Sequence, residues 1–455
     1  MTEVLVNDTE PVEHALSQGQ RSLWLLHTMA PGSSAYNAGG AGRFRPGPDL
    51  PVLTRAVRAV VRRHDMLRSV FVENDGVVRR IVRDEREHAR LRVVDLGDAD
   101  DGELHRAVTA ASREPYDLSG RGAFRAVLLR RPHDAVLLLG THHIASDATS
   151  QWLIWRDLMD AYEAYAGSGR GPLWYPAHTG YHDHVAREED LVASPRGARM
   201  REYWRSVTDG ADAVQLPLDR PRPAAPSYHG RTVARRVPAP LTRAVREAAA
   251  RAGVSPFAHL IGAFQVLLHR YTGQHDFTLV CPASTRRRQS AEVVGYFVNP
   301  ITVRARFGPA TPVTEVIAEA AGQLRGGMAR AACPYEHGAF RVSMTMVPAD
   351  RLGGRMQQVY DHEVEVGGRL LSYFEVPHLE GQCDLSVEVT EGADTLTVAF
   401  RYDTDLFEPA TIEAMLGHFL TLTEDAARRP HEPAGRLAMV AADERERLLA
   451  LGGAR

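Results

Sequence analysis

The chain has 455 residues, more than the roughly 250 to 300 at which single hydrophobic cores usually divide, so we expect two domains or two large subdomains. Hydrophobic residues make up 44% and charged residues 24% of the sequence, as is typical of globular proteins. The net charge of -3 provides no basic footprint, which argues against nucleic acid or an anionic membrane as the main partner.

The basic and cysteine residues exclude further classes of function. Every basic side chain except histidine is arginine, so the chain offers no lysine for a Schiff base or for a phosphate-binding P-loop. Cys281, Cys333 and Cys383 form no CxxC pair, which favours neither a disulfide framework nor a zinc site and indicates a reducing cytoplasm. The first thirty residues lack a secretory signal, and no apolar run approaches the roughly 18 residues of a membrane span.

The first part of the chain alternates helical and strand-like patterns. Val52, Ala56, Val60 and Leu67 predict an amphipathic helix that runs into the strand-like stretch SVFVEN. The apolar runs FRAVLLRR and DAVLLLGTHH flank a turn-like RRPHD, so we expect two neighbouring buried strands. A helix then follows, and its residues at helical spacing are predicted to pack in the core: Trp152, Trp155, Met159 and Tyr162.

A proline-rich stretch, LPLDRPRPAAPSYHG, predicts an extended connector and a domain boundary near residues 175 to 230, because proline continues neither a helix nor a sheet ladder. Beyond it, Ser255 and Pro256 are predicted to cap and begin a helix. FTLVCPAS is strand-like. In DLSVEVTEGADTLTVAFRYD, apolar and polar residues alternate on both sides of EGAD, which predicts a hairpin with its turn at EGAD. The other predicted helices are LTRAVREAAARAG, TPVTEVIAEAAGQLRGGM and PATIEAMLGHFLTLTEDAA. Mixed elements in both parts predict an α/β fold.

The histidine loop, THHIASDATS at residues 141–150, places His142, His143 and Asp147 in a polar turn after an apolar strand. Three interpretations are open. One is metal ligation, although consecutive side chains on an extended segment point to opposite faces and would not easily share an ion. Another is a purely structural cluster. The third is acid-base chemistry, in which one histidine faces a cleft, the other anchors the turn and Asp147 fixes the loop.

The histidine loop resembles the HHxxxDG signature of condensation domains from non-ribosomal peptide synthetases. Other stretches are similar to further motifs of that family and occur in the family's order: ALSQGQRSLWLL, RRHDMLRSVF, YHDHV, VGYFVNPITVR and PYE. The chain is therefore identified as a member of this family. The resemblance implies two chloramphenicol-acetyltransferase-like subdomains, arranged as a V-shaped pseudo-dimer with a central tunnel. It places them at residues 1–180, which carry HHxxxD, and 181–435, with a linker-like tail at 436–455.

The resemblance also implies an activity. The enzyme would join an acyl or aminoacyl thioester, held on the 4′-phosphopantetheine of a carrier protein, to an amine or alcohol on a carrier-bound or free acceptor, with no bound cofactor or metal. If 455 residues are the whole protein, it is a free-standing enzyme acting in trans. Two alternatives remain open. Epimerisation domains share the histidines but tend to continue DGxSW, where this chain has Gln151 after Ser150. Catalytically silent recruitment domains have usually lost the second histidine.

Family roles transfer to matching positions of this sequence. His143 matches the tunnel-facing histidine that positions or deprotonates the nucleophile, and His142 matches the structural histidine. Asp147 matches the aspartate that holds the loop by an ion pair, for which Arg286 is the expected partner, and arginine suits a partly buried carboxylate because its fork can bind both oxygens. The remaining site candidates are Ser150 as loop support and Tyr296, Asn299 and Trp24 as tunnel-lining residues.

Two substitutions depart from the family motifs. Ala148 stands where the family has glycine, and alanine in a left-handed conformation would cost on the order of 1 kcal/mol. The geometry of the histidine loop therefore stays open. Pro300 follows Asn299, and its missing N–H alters what the adjacent strand can pair.

Overall fold

Strands and helices alternate along the computed structural model, which describes residues 12–174, 179–224, 227–335, 341–347, 358–359, 362–377, 379, 382–392 and 395–452. The strands described are β1 (Val12–His14), β2 (Asn37–Arg45), β3 (Ser69–Asn74), β4 (Val77–Val82), β5 (Leu91–Asp95), β6 (Phe124–Arg130), β7 (Ala135–His142), β8 (Asp212–Ala213), β9 (Gly230–Arg236), β10 (Asp276–Ser284), β11 (Val298–Arg306), β12 (Val342–Val347), β13 (Val364–Val366), β14 (Arg369–Phe374), β15 (Leu385–Glu391) and β16 (Leu396–Asp403). The helices described are α1 (Gln18–Met29), α2 (Leu50–Arg63), α3 (Glu85–His88), α4 (Asp101–Arg113), α5 (Ala148–Gly167), α6 (Tyr181–Ala193), α7 (Pro195–Thr208), α8 (Ala239–Arg251), α9 (Pro256–Thr272), α10 (Val313–Met328), α11 (Pro409–Arg428) and α12 (Ala442–Gly452).

The chain divides into two units, and neither is continuous in sequence. The first unit consists of Met1–Asp190, Arg286–Phe297 and Leu352–Pro377. The second consists of Leu191–Thr285, Val298–Arg351 and His378–Arg455. Two segments from late in the chain therefore belong to the first unit. The domain boundaries expected after residues 180 and 435 stay predictions.

A six-stranded mixed sheet carries the first unit, in the order β13-β14-β2-β7-β6-β5, beside a three-stranded sheet, β1-β4-β3. β7 pairs antiparallel with both β2 and β6, and all of its residues are buried. The prediction of two neighbouring buried strands is thus confirmed. Successive residues of β7 belong to different core clusters, with Leu137 in one and Leu138 in the other. Apolar layers therefore cover both faces of the sheet.

Helices α2 and α5 supply much of the larger of the first unit's two core clusters. Asp49 caps α2, since its carboxylate accepts the N–H of Val52 at 2.9 Å, and the helix buries Ala56 and Val60 as predicted. The predicted helix was wrong at Leu67, which lies in the short 3-10 helix Asp65–Arg68 because His64 is extended and ends α2. The predicted core packing of the α5 residues is confirmed for Trp155, Met159 and Tyr162, each at most 5% exposed, whereas Trp152 is only partly buried.

In the second unit, helices pack against a sheet of order β11-β10-β12-β15-β16-β9, with β8 paired to β10. The hydroxyl of Ser255 accepts the N–H of Ala258 at 3.1 Å, which confirms the predicted cap of α9. β15 and β16 form the predicted antiparallel hairpin, although Ala393 and Asp394 of its turn lie outside the described residues. Pro300 faces Pro282 in the β10–β11 register, and the pairing continues on both sides.

Each unit thus packs helices against a sheet with both parallel and antiparallel neighbours, which confirms the α/β class. Within the described residues, no single helix has the length and hydropathy of a membrane span. Helices α8 and α9 pass that test only as a pair, across a bend of 101°.

Candidate functional site

The histidine loop begins at the C-terminal end of β7, which is an interior strand of the first unit's sheet. The backbone N–H of His142 donates to the carbonyl of Ala123 at 2.9 Å, and that of His143 donates to the carbonyl of Tyr36 at 2.8 Å. The loop then makes one 3-10 turn, His143–Ala145, before Asp147 caps α5. The polar loop thus starts where the buried, apolar strand β7 stops pairing with β2 and β6.

His142 is buried, with 3% of its surface exposed. Its Nδ1 accepts the backbone N–H of Ile144 at 3.1 Å, and its ring contacts those of His27, Tyr36 and Tyr116. Burial, with smaller contributions from His143 and His27, lowers the pKa of His142 to about 3. His142 is therefore neutral near pH 7, and its contacts hold the turn.

His143 is partly buried, and its Nδ1 lies 3.1 Å from the carbonyl oxygen of Ser146. Because a carbonyl oxygen can only accept, Nδ1 must carry the proton, and the neutral ring then has its basic lone pair on Nε2. The ring meets Tyr296 edge-on, with 6.4 Å between the ring centroids. The two adjacent histidines therefore present opposite nitrogens as acceptors: Nδ1 in His142 and Nε2 in His143.

Asp147 joins the histidine loop to the segment that begins at Arg286. Nη2 of Arg286 lies 2.9 Å from Oδ1 and 3.1 Å from Oδ2 of Asp147, and the two side chains are 9% and 4% exposed. The same carboxylate accepts the N–H of Ser150 at 2.7 Å and that of Phe297 at 3.2 Å. Asp147 is thus a helix cap, an ion-pair partner and an acceptor for a distant backbone amide at the same time.

Arg286 and Ser150 complete this junction. Nη1 of Arg286 donates to the carbonyls of Ser290 and Val293 at 2.7 and 2.6 Å, and Nη2 also donates to the Ser150 hydroxyl at 2.9 Å. That hydroxyl donates to the carbonyl of Gly295 at 2.8 Å and accepts its N–H at 3.1 Å. Residues 286–297 are therefore fastened to the start of α5 through both side chains.

Ala148 is the first residue of α5, directly after its cap. Among the described residues other than glycine, a positive φ occurs at Asp75 and Tyr228, and Ala148 is not one of them. The left-handed conformation that would favour glycine is thus not adopted here. Alanine in place of the family's glycine at position 148 therefore causes no left-handed strain in the histidine loop.

A polar network beside the histidines was not predicted from the sequence. The amide nitrogen of Gln151, on α5, donates to the hydroxyls of Thr141 at 2.5 Å and Ser146 at 2.9 Å. Those two hydroxyls are also hydrogen-bonded to each other, and all three side chains are buried. The available signal was that polar residue types occupy both ends of the loop, but their spacing alone does not indicate that they bond to one another.

Two of the other recognised motifs, ALSQGQRSLWLL and YHDHV, make contacts that support the histidine loop. Ser17 and Gln20 form a capping box at the start of α1, and the side chain of Gln20 reaches the carbonyl of Ile144 at 2.8 Å. The hydroxyl of Tyr181, from YHDHV, is 2.9 Å from the Ser17 hydroxyl and donates to the carbonyl of Tyr296 at 2.7 Å. Stretches recognised only as motifs are therefore physical supports of the site.

The RRHD motif anchors α5 to the end of α2. Asp157 of α5 is fully buried, and it lies 2.8 Å from Nε2 of His64 and 2.7 Å from Nε of Arg63. Burial alone would raise the pKa of the Asp157 carboxyl, but the hydrogen bond and charge of His64, together with Arg156, hold that pKa below its usual value.

The three tunnel-lining candidates lie in different surroundings. Tyr296 is beside His143, and burial raises the pKa of its hydroxyl. Trp24, on α1 of the same unit, donates its indole N–H to Glu73 at 3.2 Å. Asn299 belongs to the second unit, where its side chain donates to the carbonyl of Ala331 at 2.8 Å. That these residues line a tunnel stays a prediction.

One group of potential metal ligands occurs among the described residues, away from the histidine loop. Atoms of His14, Asp65 and His182 lie within 4.8 Å of one another, and the two imidazole rings are stacked. The buried guanidinium of Arg80 donates to Oδ2 of Asp65 at 3.1 Å, and its positive charge opposes a cation on the same carboxylate.

Residues 12–449 match the family model described as the condensation domain. The protein belongs to the condensation-domain family. Phosphinothricin tripeptide synthetase PhsC from Streptomyces viridochromogenes is 31% identical over 96% of the chain, which spans 41% of that protein. The chain spans less than half the length of each of the curated relatives compared.

Solved structures share the fold. The X-domain from teicoplanin biosynthesis aligns with a TM-score of 0.84 at 23% identity, covering 95% of this condensation domain and 99% of that chain. The SgcC5 protein from Streptomyces globisporus, solved with a naphthyl ethanediol and sucrose, aligns with a TM-score of 0.71 at 26% identity over 92% and 100% of the two chains. The family membership and the fold of two chloramphenicol-acetyltransferase-like subdomains, both predicted from sequence, are confirmed.

Proposed function

We propose that this condensation domain transfers an acyl or aminoacyl group from the phosphopantetheine thioester of a carrier protein to an amine or alcohol. Condensation domains of non-ribosomal peptide synthetases act on carrier-bound substrates, which supports the donor class. The observation that carries the proposal is the bond from Nδ1 of His143 to the Ser146 carbonyl at 3.1 Å. In the neutral imidazole this bond makes Nε2 the base.

The proposed chemistry balances without a cofactor. The lone pair of the amine or alcohol attacks the thioester carbonyl, and the carbon–sulfur bond breaks as the carbon–nitrogen or carbon–oxygen bond forms. Nε2 of His143 takes the proton of the nucleophile, or holds the nucleophile by a hydrogen bond, and the proton passes to the departing phosphopantetheine sulfur. Holding thioester and nucleophile together supplies the rest of the acceleration.

Both acceptor classes belong in the test. The SgcC5 neighbour was solved with a diol, which supports including alcohols, and the relatedness to PhsC supports including amines. A donor carrier protein loaded with an acyl or aminoacyl group is incubated with the protein and with amines or alcohols, and the products are identified by mass spectrometry. Transfer from coenzyme A but not from a carrier would contradict the carrier-dependent donor.

His143→Gln is expected to lower turnover by about 10² to 10⁴, the usual range for general acid-base assistance. His133→Gln is the matched control, because His133 lies exposed in the turn between β6 and β7. The control is expected to retain parental turnover. A folded His143→Gln protein that turned over at the parental rate with saturating donor and acceptor would refute the role of His143.

A docking role is the second candidate, and one comparison favours it. The teicoplanin X-domain, which shares the fold, was also solved in a complex with OxyB, at a TM-score of 0.83 to this chain. The intact His143 favours catalysis over this role. Absence of transfer from every loaded carrier, together with saturable binding to a tailoring enzyme that is unaffected by His143→Gln, would favour docking.

A further inference from the structure

The hydrogen-bond network of Thr141, Ser146 and Gln151 spans three elements around His143. Thr141 lies on β7, Ser146 follows the 3-10 turn, and Gln151 lies in the first turn of α5. The two hydroxyls are 0% exposed and Gln151 is 9% exposed, so water does not readily compete for these bonds. One side-chain amide therefore fastens the strand, the turn and the helix together.

We propose that Gln151 is a positioning residue that keeps His143 in the tautomer with its proton on Nδ1. Ser146 makes the connection, because its hydroxyl accepts from Gln151 at 2.9 Å while its carbonyl accepts from Nδ1 of His143 at 3.1 Å. A clamp on the hydroxyl restricts rotation of the same residue's backbone. The basic Nε2 that the proposed function requires thus depends on a side chain whose described hydrogen bonds go to Thr141 and Ser146 and not to His143. This inference rests on the proposed function for its catalytic meaning.

A second observation separates positioning from stabilisation. Oε1 of Gln151 is buried and has no hydrogen-bond partner among the described residues. An orphaned buried acceptor costs stability, and an apolar side chain of similar length would avoid that cost. The amide is therefore poorly explained as core packing. Its two N–H bonds, each to one side of the histidine loop, are what an apolar side chain could not supply.

The test is the tautomer of His143, read from its two ring nitrogens by NMR of protein labelled with ¹⁵N-histidine. The His143 signals are assigned by their loss in His143→Gln. The parent is expected to show protonated Nδ1 and unprotonated Nε2. Gln151→Met is expected to raise the ratio of Nε2–H to Nδ1–H tautomer about fivefold to tenfold, the factor that corresponds to one weakened hydrogen bond.

Gln265→Met is the matched control, since Gln265 is a buried glutamine of α9 in the second unit. Its spectrum is expected to keep the parental His143 signals. Ser146→Ala removes the hydroxyl but not the carbonyl, so it should reproduce the tautomer shift even if Gln151→Met fails to fold. A parent with protonated Nε2, or folded Gln151→Met and Ser146→Ala proteins with unchanged tautomer ratios, would overturn the inference. Because no turnover is needed, an inactive parent with Nδ1 protonated would count against the proposed function alone.

Discussion

Replacing Asp147 with alanine tests whether the junction at the histidine loop is a structural element. The substitution removes the cap of α5, the partner of Arg286 and the acceptor for the N–H of Phe297 in one step. We expect the variant to lose folding stability as well as turnover, since this carboxylate joins the loop to Arg286 and Phe297, and only the contacts of the Ser150 hydroxyl with Arg286 and Gly295 remain described at this junction.

The size of the effect follows from burial. Asp147 is 4% and Arg286 is 9% exposed, so solvent screens the pair weakly. Removing one partner of a buried ion pair typically costs about 3 to 5 kcal/mol, because the other charge stays buried without its partner. The lost cap is worth about 0.5 to 2 kcal/mol, and it overlaps with the first figure because the same oxygens make both contacts. The expected total for Asp147→Ala is about 3 to 5 kcal/mol, with a smaller loss for Asp147→Asn, which keeps an oxygen for the cap.

Urea unfolding measures this prediction, followed by the fluorescence of tryptophans such as Trp155 in the first unit's core. Glu189→Ala is the control, because Glu189 pairs with Arg21 at the surface, where both side chains are more than half exposed. That control is expected to change the free energy of unfolding by less than about 1 kcal/mol. An Asp147→Ala protein with parental unfolding behaviour and no turnover would refute the structural reasoning and assign Asp147 a chemical role.

Two further predictions concern His142 and Ala148. Because the folded pKa of His142 is about 3 and its ordinary value is 6.5, the unfolded chain takes up a proton first as the pH falls, so stability decreases below pH 6.5 by about 1.4 kcal/mol per pH unit. His142→Asn should therefore lose less stability than the parent between pH 6.5 and 5, by about 2 kcal/mol in denaturation measurements, and equal losses would contradict the assigned pKa. Ala148→Gly should lower the free energy of unfolding by up to about 1 kcal/mol without raising turnover, since Ala148 is already helical; a faster glycine variant in the mass-spectrometric assay would contradict this.

The pattern of apolar residues in the sequence predicted the strands and helices that are buried in the core. The continuous apolar run of β7 predicted a buried strand, and two core clusters cover its two faces. The helix through Val52, Ala56 and Val60 was also correct, but its extension to Leu67 was not. Hydrophobic spacing does not reveal where a backbone turns extended, and His64 does so before the next helical turn.

The contacts that fix the site come from distant parts of the chain, so periodicity could not predict them. Arg286 lies 139 residues beyond Asp147, and only the family resemblance suggested that they pair. Gln20 supports the loop across 124 residues. Gln151 is local, yet its partners depend on the angle at which α5 leaves the turn, which the residue types do not specify. Residue chemistry thus identified which side chains were costly to bury, while the fold determined their partners.

The two adjacent histidines differ in burial and in their hydrogen bonds. A ring with a pKa of about 3 cannot accept a proton near neutral pH, so His142 cannot serve as a general base there, whatever its distance from a substrate. His143 is less buried, and its Nδ1 bond commits the other nitrogen to accepting. Of the two histidines, only His143 can therefore serve as the general base of the proposed function. This asymmetry arises because successive side chains of an extended segment point to opposite faces. The ring of His142 therefore packs against Tyr36 and Tyr116, and the ring of His143 bonds to the carbonyl of Ser146.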